Sequence, residues 1–354
     1  MKSIKLQQYL TLHITLPMVN EKKLVEDVSG WLRVYDDGSV DRTWTGPPEV
    51  SFMTDTVMPH ENFVDGVAVK DVDTDSGARV RIYLPEKNNS DSATLPIILH
   101  FHGGGFCISE ASWFMYYAVY TRLARSSRSI VVSVYLRRAP EHRLPAACED
   151  SYNALLWLRS LAKGDLHEAW LNANADFTRV FLMGDSTGGN LVHQVASRAG
   201  SEGLELKLSP SHVAGGILVQ PGFVRATRSK SELEQPQSPF LTLDMMDKFL
   251  SFALPLGSTK DHPITCPMGA AAPPMSSLKM PPMLLCVAET DLMIDTEMEY
   301  YEAMKKAGKD VELFLSPGVG HGFYMNKIAS DLDPVTATRT QELIAAITDF
   351  IKKH

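Results

Sequence analysis

Cysteine is scarce in this chain. Its 354 residues include four, Cys107, Cys148, Cys266 and Cys286, and their wide spacing matches no zinc or redox pattern. A disulfide framework is therefore not expected to carry the fold. The expected location is a reduced one, the cytoplasm and also the nucleus. Long apolar runs are also missing, since no segment holds the roughly 18 consecutive apolar residues that a membrane span requires. Charge of one sign is in small excess, with a formal net charge of −8 and no block of like charge. That balance gives no footing to phosphate backbones or anionic lipid, so neither nucleic acid nor membrane is an expected partner. Internal repeats and low-complexity tracts are absent as well.

What remains is an ordinary globular composition, 44% hydrophobic and 21% charged, long enough for one large α/β domain with insertions. Residues 1–18, "MKSIKLQQYLTLHITLPM", have no unbroken apolar core and no small-residue cleavage site. They read as an extra leader ahead of a second methionine, Met18. From Asn20 the spacing of Leu24, Val25, Val28 and Leu32 predicts a helix, and Asp37-Gly38 between alternating residues predicts a hairpin. This region, about 19–45, is expected to be an appendage over a single domain spanning 19–354. The polar stretch Glu86–Ser92 reads as a loop.

Beyond it the chain alternates strands with helices. Continuous apolar runs at Pro96–Phe101, Ile130–Tyr135, Val180–Gly184, Ala214–Gln220, Pro282–Ala288 and Val311–Leu315 suit strands buried on both faces of a parallel sheet. Helices are predicted over Gly189–Ala199, over Asp295–Lys306 ended by Gly308, and over Pro334–Lys353 capped by Asp333. The alternation predicts an open, doubly wound α/β sheet. Residues 229–256 break the rhythm with an amphipathic run around Met245–Leu256. An insertion there would cover the carboxyl edge of the sheet, where ligands bind in such folds.

Four short motifs fall on that edge. "FLMGDSTGGN" puts Ser186 between an apolar strand and a helix, and Gly184 and Gly188 leave room for the sharp turn that exposes a nucleophilic hydroxyl. A lone G-x-S-x-G is more often structural than catalytic, so its partners decide. Directly after "PIILHF" comes His102-Gly103-Gly104-Gly105-Phe106, whose glycine N–H groups, with that of Thr187, would form an oxyanion hole. Asp291 follows one buried strand and His321, in "GVGHGF", follows the next. The order Ser186, Asp291, His321 is that of a nucleophile, an orienting acid and a base. His102 more simply fixes its own loop. Asp295 competes with Asp291 as the acid, but a helix N-cap position accounts for it. His142 and His262 have no acid in matching order.

These motifs carry a family resemblance. "HFHGGGF", "RAPEHRLPAA", "GDSTGGN", "DLMID" and "HGFY" resemble the hormone-sensitive-lipase-like α/β-hydrolases, and among them the plant class I carboxylesterases, from about Asn20 to the end. The resemblance implies an eight-stranded α/β-hydrolase sheet, the triad Ser186, Asp291 and His321, a cap built partly from the N-terminal helices, and hydrolysis of a small apolar ester or lactone, a chemistry that requires no metal or organic cofactor. "VSGWLRVYDDGSVDRTWTGPPEV", "FCISEASWFMYY" and "RSKSELEQPQSPFLTLDM" look like the branch that includes strigolactone-hydrolysing enzymes. Two departures stand out. Arg138 occupies a place where the family has an apolar residue, and Thr187 replaces the commoner Ala or Ser.

Trp31, Phe106, Trp113, Phe223, Phe240, Phe323 and Tyr324 flank the motifs and are the expected apolar walls of the substrate pocket, although aromatics and the stripe around Trp31 are also ordinary core. Two other functions use similar scaffolds. The gibberellin receptors hold a hormone and lack the histidine base, which this chain keeps as His321. The 2-hydroxyisoflavanone dehydratases often carry threonine where this chain has Ser186.

Overall fold

The computed structural model of the chain describes residues 22–75, 77–88, 94–201, 208–238 and 240–354. The leader 1–18 lies outside the described residues, and the Glu86–Ser92 loop lies partly outside them. Twelve strands are described, β1 Leu24–Val28, β2 Leu32–Tyr35, β3 Val40–Asp41, β4 His60–Val64, β5 Val67–Asp73, β6 Arg79–Pro85, β7 Leu95–Phe101, β8 Ile130–Tyr135, β9 Ala175–Asp185, β10 Val213–Val219, β11 Met283–Ala288 and β12 Val311–Ser316. Nine of them form the main sheet in the order β12-β11-β10-β9-β7-β8-β6-β5-β4. The six from β12 to β8 run parallel. They coincide with the six apolar runs, because side chains covered on both faces need no polar alternation.

The three antiparallel strands β4 to β6 carry charge, which hides them from an apolar-run reading. Arg81 in β6 is almost fully buried, and it can be so only because Asp71 on β5 accepts from its Nε at 2.7 Å and its Nη2 at 2.9 Å. The main sheet thus has nine described strands where the family resemblance implied eight.

The N-terminal segment differs more sharply from expectation. Leu24–Val28 and Leu32–Tyr35 are antiparallel strands, not a helix. Leu24 and Val25 are exposed while Val28, Trp31 and Leu32 are buried. Ser29 and Gly30 both have positive φ, 51° and 77°, and Trp31 N donates to Val28 O at 2.9 Å, so a tight turn within a three-residue connection joins the paired Val28 and Leu32. Side chains alternating along two short strands mimicked a helical stripe. The second hairpin, around Gly38 with φ 79°, joins β2 to β3, as its Asp-Gly pair predicts.

Helix α1 (Phe114–Ser127) packs on the C-terminal helix α9 (Pro334–Lys353), and α2 (Ala146–Lys163) packs on α4 (Thr187–Ala199). Short helices at Ala169–Asn174 (α3), Lys230–Glu234 (α5) and Lys327–Leu332 (α8) join these layers. Asp333 caps α9 by accepting from Thr336 N at 2.7 Å. Helix α7 spans Ile294–Lys306, with Met293 at its N-cap. Asp295 sits in its first turn instead of capping it, and its carboxylate accepts from Ser231 N at 2.7 Å. Within residues 229–256, helix α6 (Leu243–Ala253) is capped by Thr242 and turns Met245, Met246, Phe249 and Leu250 inward. Among the described residues no helix is long and apolar enough to cross a membrane.

Candidate active site

The parallel strands deliver their functional residues to one edge. Ser186 follows β9, the glycine loop follows β7, Gln220 follows β10, Asp291 follows β11 and His321 follows β12.

Ser186 adopts φ 50° and ψ −126°, a strained conformation for a residue with a side chain. Hydrogen bonds on both sides hold it there. Its N–H donates to Val219 O at 2.9 Å, and its carbonyl accepts from Gly189 N and Gly222 N, each at 2.8 Å. The turn closes only because its neighbours lack side chains. A Cβ on Gly184 would stand 2.2 Å from Gly188 O, and one on Gly188 would stand 2.0 Å from Phe101 O. Gly188→Ala is therefore expected to yield little soluble protein, or a fold weakened by more than about 4 kcal/mol. Soluble protein with the wild-type thermal midpoint would show that the turn has slack.

His321 Nδ1 lies 2.7 Å from Asp291 Oδ2. A carboxylate can only accept, so Nδ1 carries the proton and Nε2 is the free basic nitrogen. Burial disfavours the imidazolium, but the charge of Asp291 and its hydrogen bond outweigh burial and hold the His321 pKa above the ordinary value. Asp291 is fully buried and its Oδ1 accepts from Met293 N at 3.0 Å. Nearby, Glu297 is also fully buried, with neither carboxyl oxygen bonded among the described residues. Burial, with the charge of Asp291 adding to it, pushes its carboxyl well above the usual range.

The glycine loop is anchored by Asp185, the residue before Ser186. Its Oδ2 accepts from Gly103 N at 3.0 Å and from Tyr116 OH at 3.3 Å, while His100 Nε2 lies 3.0 Å from Oδ1. Gly103, expected as an oxyanion donor, is thus removed from that role, because its N–H is already spent. Gly104 and Gly105, at φ 99° and 62°, keep N–H groups that bond to no described residue, as does Thr187 at the start of α4. The Thr187 hydroxyl accepts from Phe106 N at 3.3 Å, which ties the loop to the serine turn. His102 bonds the carbonyl of Gly103 at 2.9 Å, and burial pushes its pKa down to about 4, so it serves the loop as a neutral ring. Arg138 braces the same loop from outside, bonding Ser109 O at 3.1 Å and Glu110 at 2.8 Å.

Two of these residues escaped the sequence reading. Asp185 adjoins the motif but its partners are distant in sequence. Gln220 clamps the histidine loop on both sides, donating to Gly320 O at 3.2 Å and accepting from Gly322 N at 2.8 Å. Its positive φ of 48° leaves no sequence signature.

Ser186, Thr187, Gly104, Gly105 and His321 line one narrow slot of about 80 Å³. Of the aromatics expected around it, Trp31, Phe240 and Tyr324 line the slot. Phe106, Trp113, Phe223 and Phe323 do not. Phe106 is buried beside Thr187, Trp113 stacks behind Trp31 at 6.2 Å, Phe223 packs on Tyr300 at 4.4 Å in the core, and Phe323 sits edge-on to Tyr324 at 5.4 Å. Phe249 and four methionines, Met115, Met246, Met293 and Met325, complete the walls. Cys107, Cys148, Cys266 and Cys286 are all free thiols, and among the described residues no cluster of side chains is arranged for a metal.

A strained serine at a strand-to-helix turn, an Asp–His pair from the next two strand ends and a glycine loop over the serine define an α/β hydrolase. Comparison with known proteins agrees. A family model described as the alpha/beta hydrolase fold matches residues 98–325. The chain is 36% identical to "Probable carboxylesterase 6" of Arabidopsis thaliana, over 97% of each chain. It is 32% identical to "Tuliposide A-converting enzyme 1, chloroplastic" of Tulipa gesneriana, over 91% of this chain and 78% of that one. An esterase of Pyrobaculum calidifontis superposes with a TM-score of 0.63 at 28% identity, covering 81% and 85% of the two chains. The chain belongs to the alpha/beta hydrolase fold family, and it is a carboxylic ester hydrolase.

Proposed function

We propose that Ser186 attacks the carbonyl of a small apolar ester or lactone, and that the butenolide ring of a strigolactone is such a substrate. His321 Nε2 takes the serine proton as the Ser186 Oγ bond to carbon forms. The N–H groups of Gly104, Gly105 and Thr187 receive the charge that develops on the carbonyl oxygen, each donor being worth about 10²–10³ in rate. His321 then hands its proton to the departing alcohol, and water resolves the acyl-enzyme by the same route.

The observation that carries this reading is the 2.7 Å Nδ1 contact to Asp291, which leaves a basic Nε2 in the slot that Ser186 lines. A site used only to hold a hormone has no need of that arrangement, which favours hydrolysis over a receptor role. The narrow slot suits a short acyl group or a single small ring at the serine, with the rest of the substrate toward the mouth. Methionine walls adapt to different outlines at low cost.

p-Nitrophenyl acetate and a synthetic strigolactone, assayed on wild type and Ser186→Ala with products identified by mass spectrometry, test the proposal. Turnover of both by wild type alone supports it. Lactone binding without turnover favours a receptor, loss of water from a hydroxylated substrate favours a dehydratase, and turnover of the acetate alone removes the strigolactone assignment.

A further inference from the structure

A second cavity, of about 660 Å³, lies against the catalytic slot and shares Tyr324 with it as a wall. That volume falls within the roughly 300–1,000 Å³ typical of small-molecule sites. Met183 and Val219, near the ends of β9 and β10, reach it from the sheet. Val119 and Leu123 of α1 form one side, and Leu343 and Ile347 of α9 form the other. All six are buried apolar residues. The body of any occupant is therefore apolar.

The rim carries charge. Arg122, half-buried, and Arg125, exposed, stand on α1 without a carboxylate partner among the described residues. Lys327 is also there, but Asp331 neutralises it. Asp65, exposed, supplies one negative charge against the two arginines. One positive charge is left over, displayed by planar groups that pair with carboxylates in a two-pronged fashion.

We infer that this cavity is a binding site for an apolar monocarboxylic acid, with its chain between α1 and α9 and its carboxylate on Arg122 and Arg125. The enzyme releases molecules of this class on the other side of Tyr324, so its own acid product is one source. Free fatty acids are the other. The inference draws on the carboxylesterase activity for that source. It does not depend on the role assigned to Ser186, because the test below reads binding directly.

The probe is octanoate, titrated by calorimetry into wild type, into wild type whose catalytic slot has been capped with a phosphonate, and into Ser186→Ala. One equivalent is expected to bind in all three. Arg122→Gln/Arg125→Gln should weaken binding by about tenfold or more, and Ala118→Trp, which fills the cavity from α1, should abolish it. Both variants should hydrolyse p-nitrophenyl acetate as wild type does. If Ala118→Trp does not fold, the arginine variant decides.

Failure to bind octanoate or any longer acid overturns the inference, as does loss of binding on capping. Equal affinity for octanol, or undiminished affinity in the arginine variant, overturns it too. Progress curves with p-nitrophenyl octanoate separate the sources. Slowing as octanoate accumulates, reproduced by added octanoate and absent in the arginine variant, supports the site and assigns it to the product. Saturable binding of dodecanoate, weakened in the arginine variant and without such slowing, supports the site and assigns it to free fatty acids.

Discussion

Ser186→Ala is expected to lower kcat for p-nitrophenyl acetate by about 10⁶-fold, the order of the loss when the nucleophile of a serine hydrolase is removed. The fold should survive, because what holds the turn is backbone. Val219 O still receives the N–H of residue 186, and Gly189 N and Gly222 N still bond its carbonyl. Alanine also meets the same backbone strain that serine does at φ 50°. The thermal midpoint should therefore stay close to wild type while the mass of an acyl-enzyme trapped on rapid quenching disappears. A variant that keeps activity within tenfold of wild type, on protein free of contaminating esterase, would remove Ser186 from the chemistry.

The second large effect concerns Asp291. Asp291→Asn should cost about 10⁴ in kcat, since an amide can hold His321 in the wrong tautomer and cannot stabilise its cation. The pH profile should move as well. Only neutral His321 can accept the serine proton, so wild-type activity rises with pH through the histidine pKa, which Asp291 holds above the ordinary 6.5. Without that anion, burial outweighs the remaining pull of Asp185 and disfavours the cation. The acidic limb of the variant should then lie at lower pH than that of wild type. His321→Ala, which removes the base itself, should abolish the limb along with several orders of magnitude of rate. A wild-type profile flat from pH 5 to 8, or a limb unmoved in Asp291→Asn, contradicts the assignment.

Much of this was legible in the sequence, for physical reasons that differ from element to element. The six parallel strands show as apolar runs because both faces are covered. The serine turn shows because steric limits at Gly184 and Gly188 leave glycine no substitute. Helix α9 shows its start through Asp333 and Pro334, whose effects act within one turn. By contrast β5 and β6 were hidden by Arg81 and Asp71, charges that are tolerated inside only because they meet across strands. The N-terminal hairpin reads as a helix because Leu24, Val25, Val28 and Leu32 fit helical spacing when the Ser29-Gly30 turn is not weighed.

The sequence by itself therefore determined what depends on neighbours along the chain: the alternation of strand and helix, the glycine-flanked turn, and the order of Ser186, Asp291 and His321. Tertiary structure alone decided which groups meet. It assigned the Gly103 N–H to Asp185 and left those of Gly104 and Gly105 unspent. It placed Gln220 across the His321 loop, and it sent Phe106, Trp113 and Phe223 to the core and left Phe323 half-buried outside the slot, while Trp31, Phe240 and Tyr324 reached it. Hydrogen bonds and packing between residues about 80 to 100 positions apart, such as Gly103 with Asp185 and Gln220 with Gly322, depend on strand order and register. No local pattern of residues encodes those.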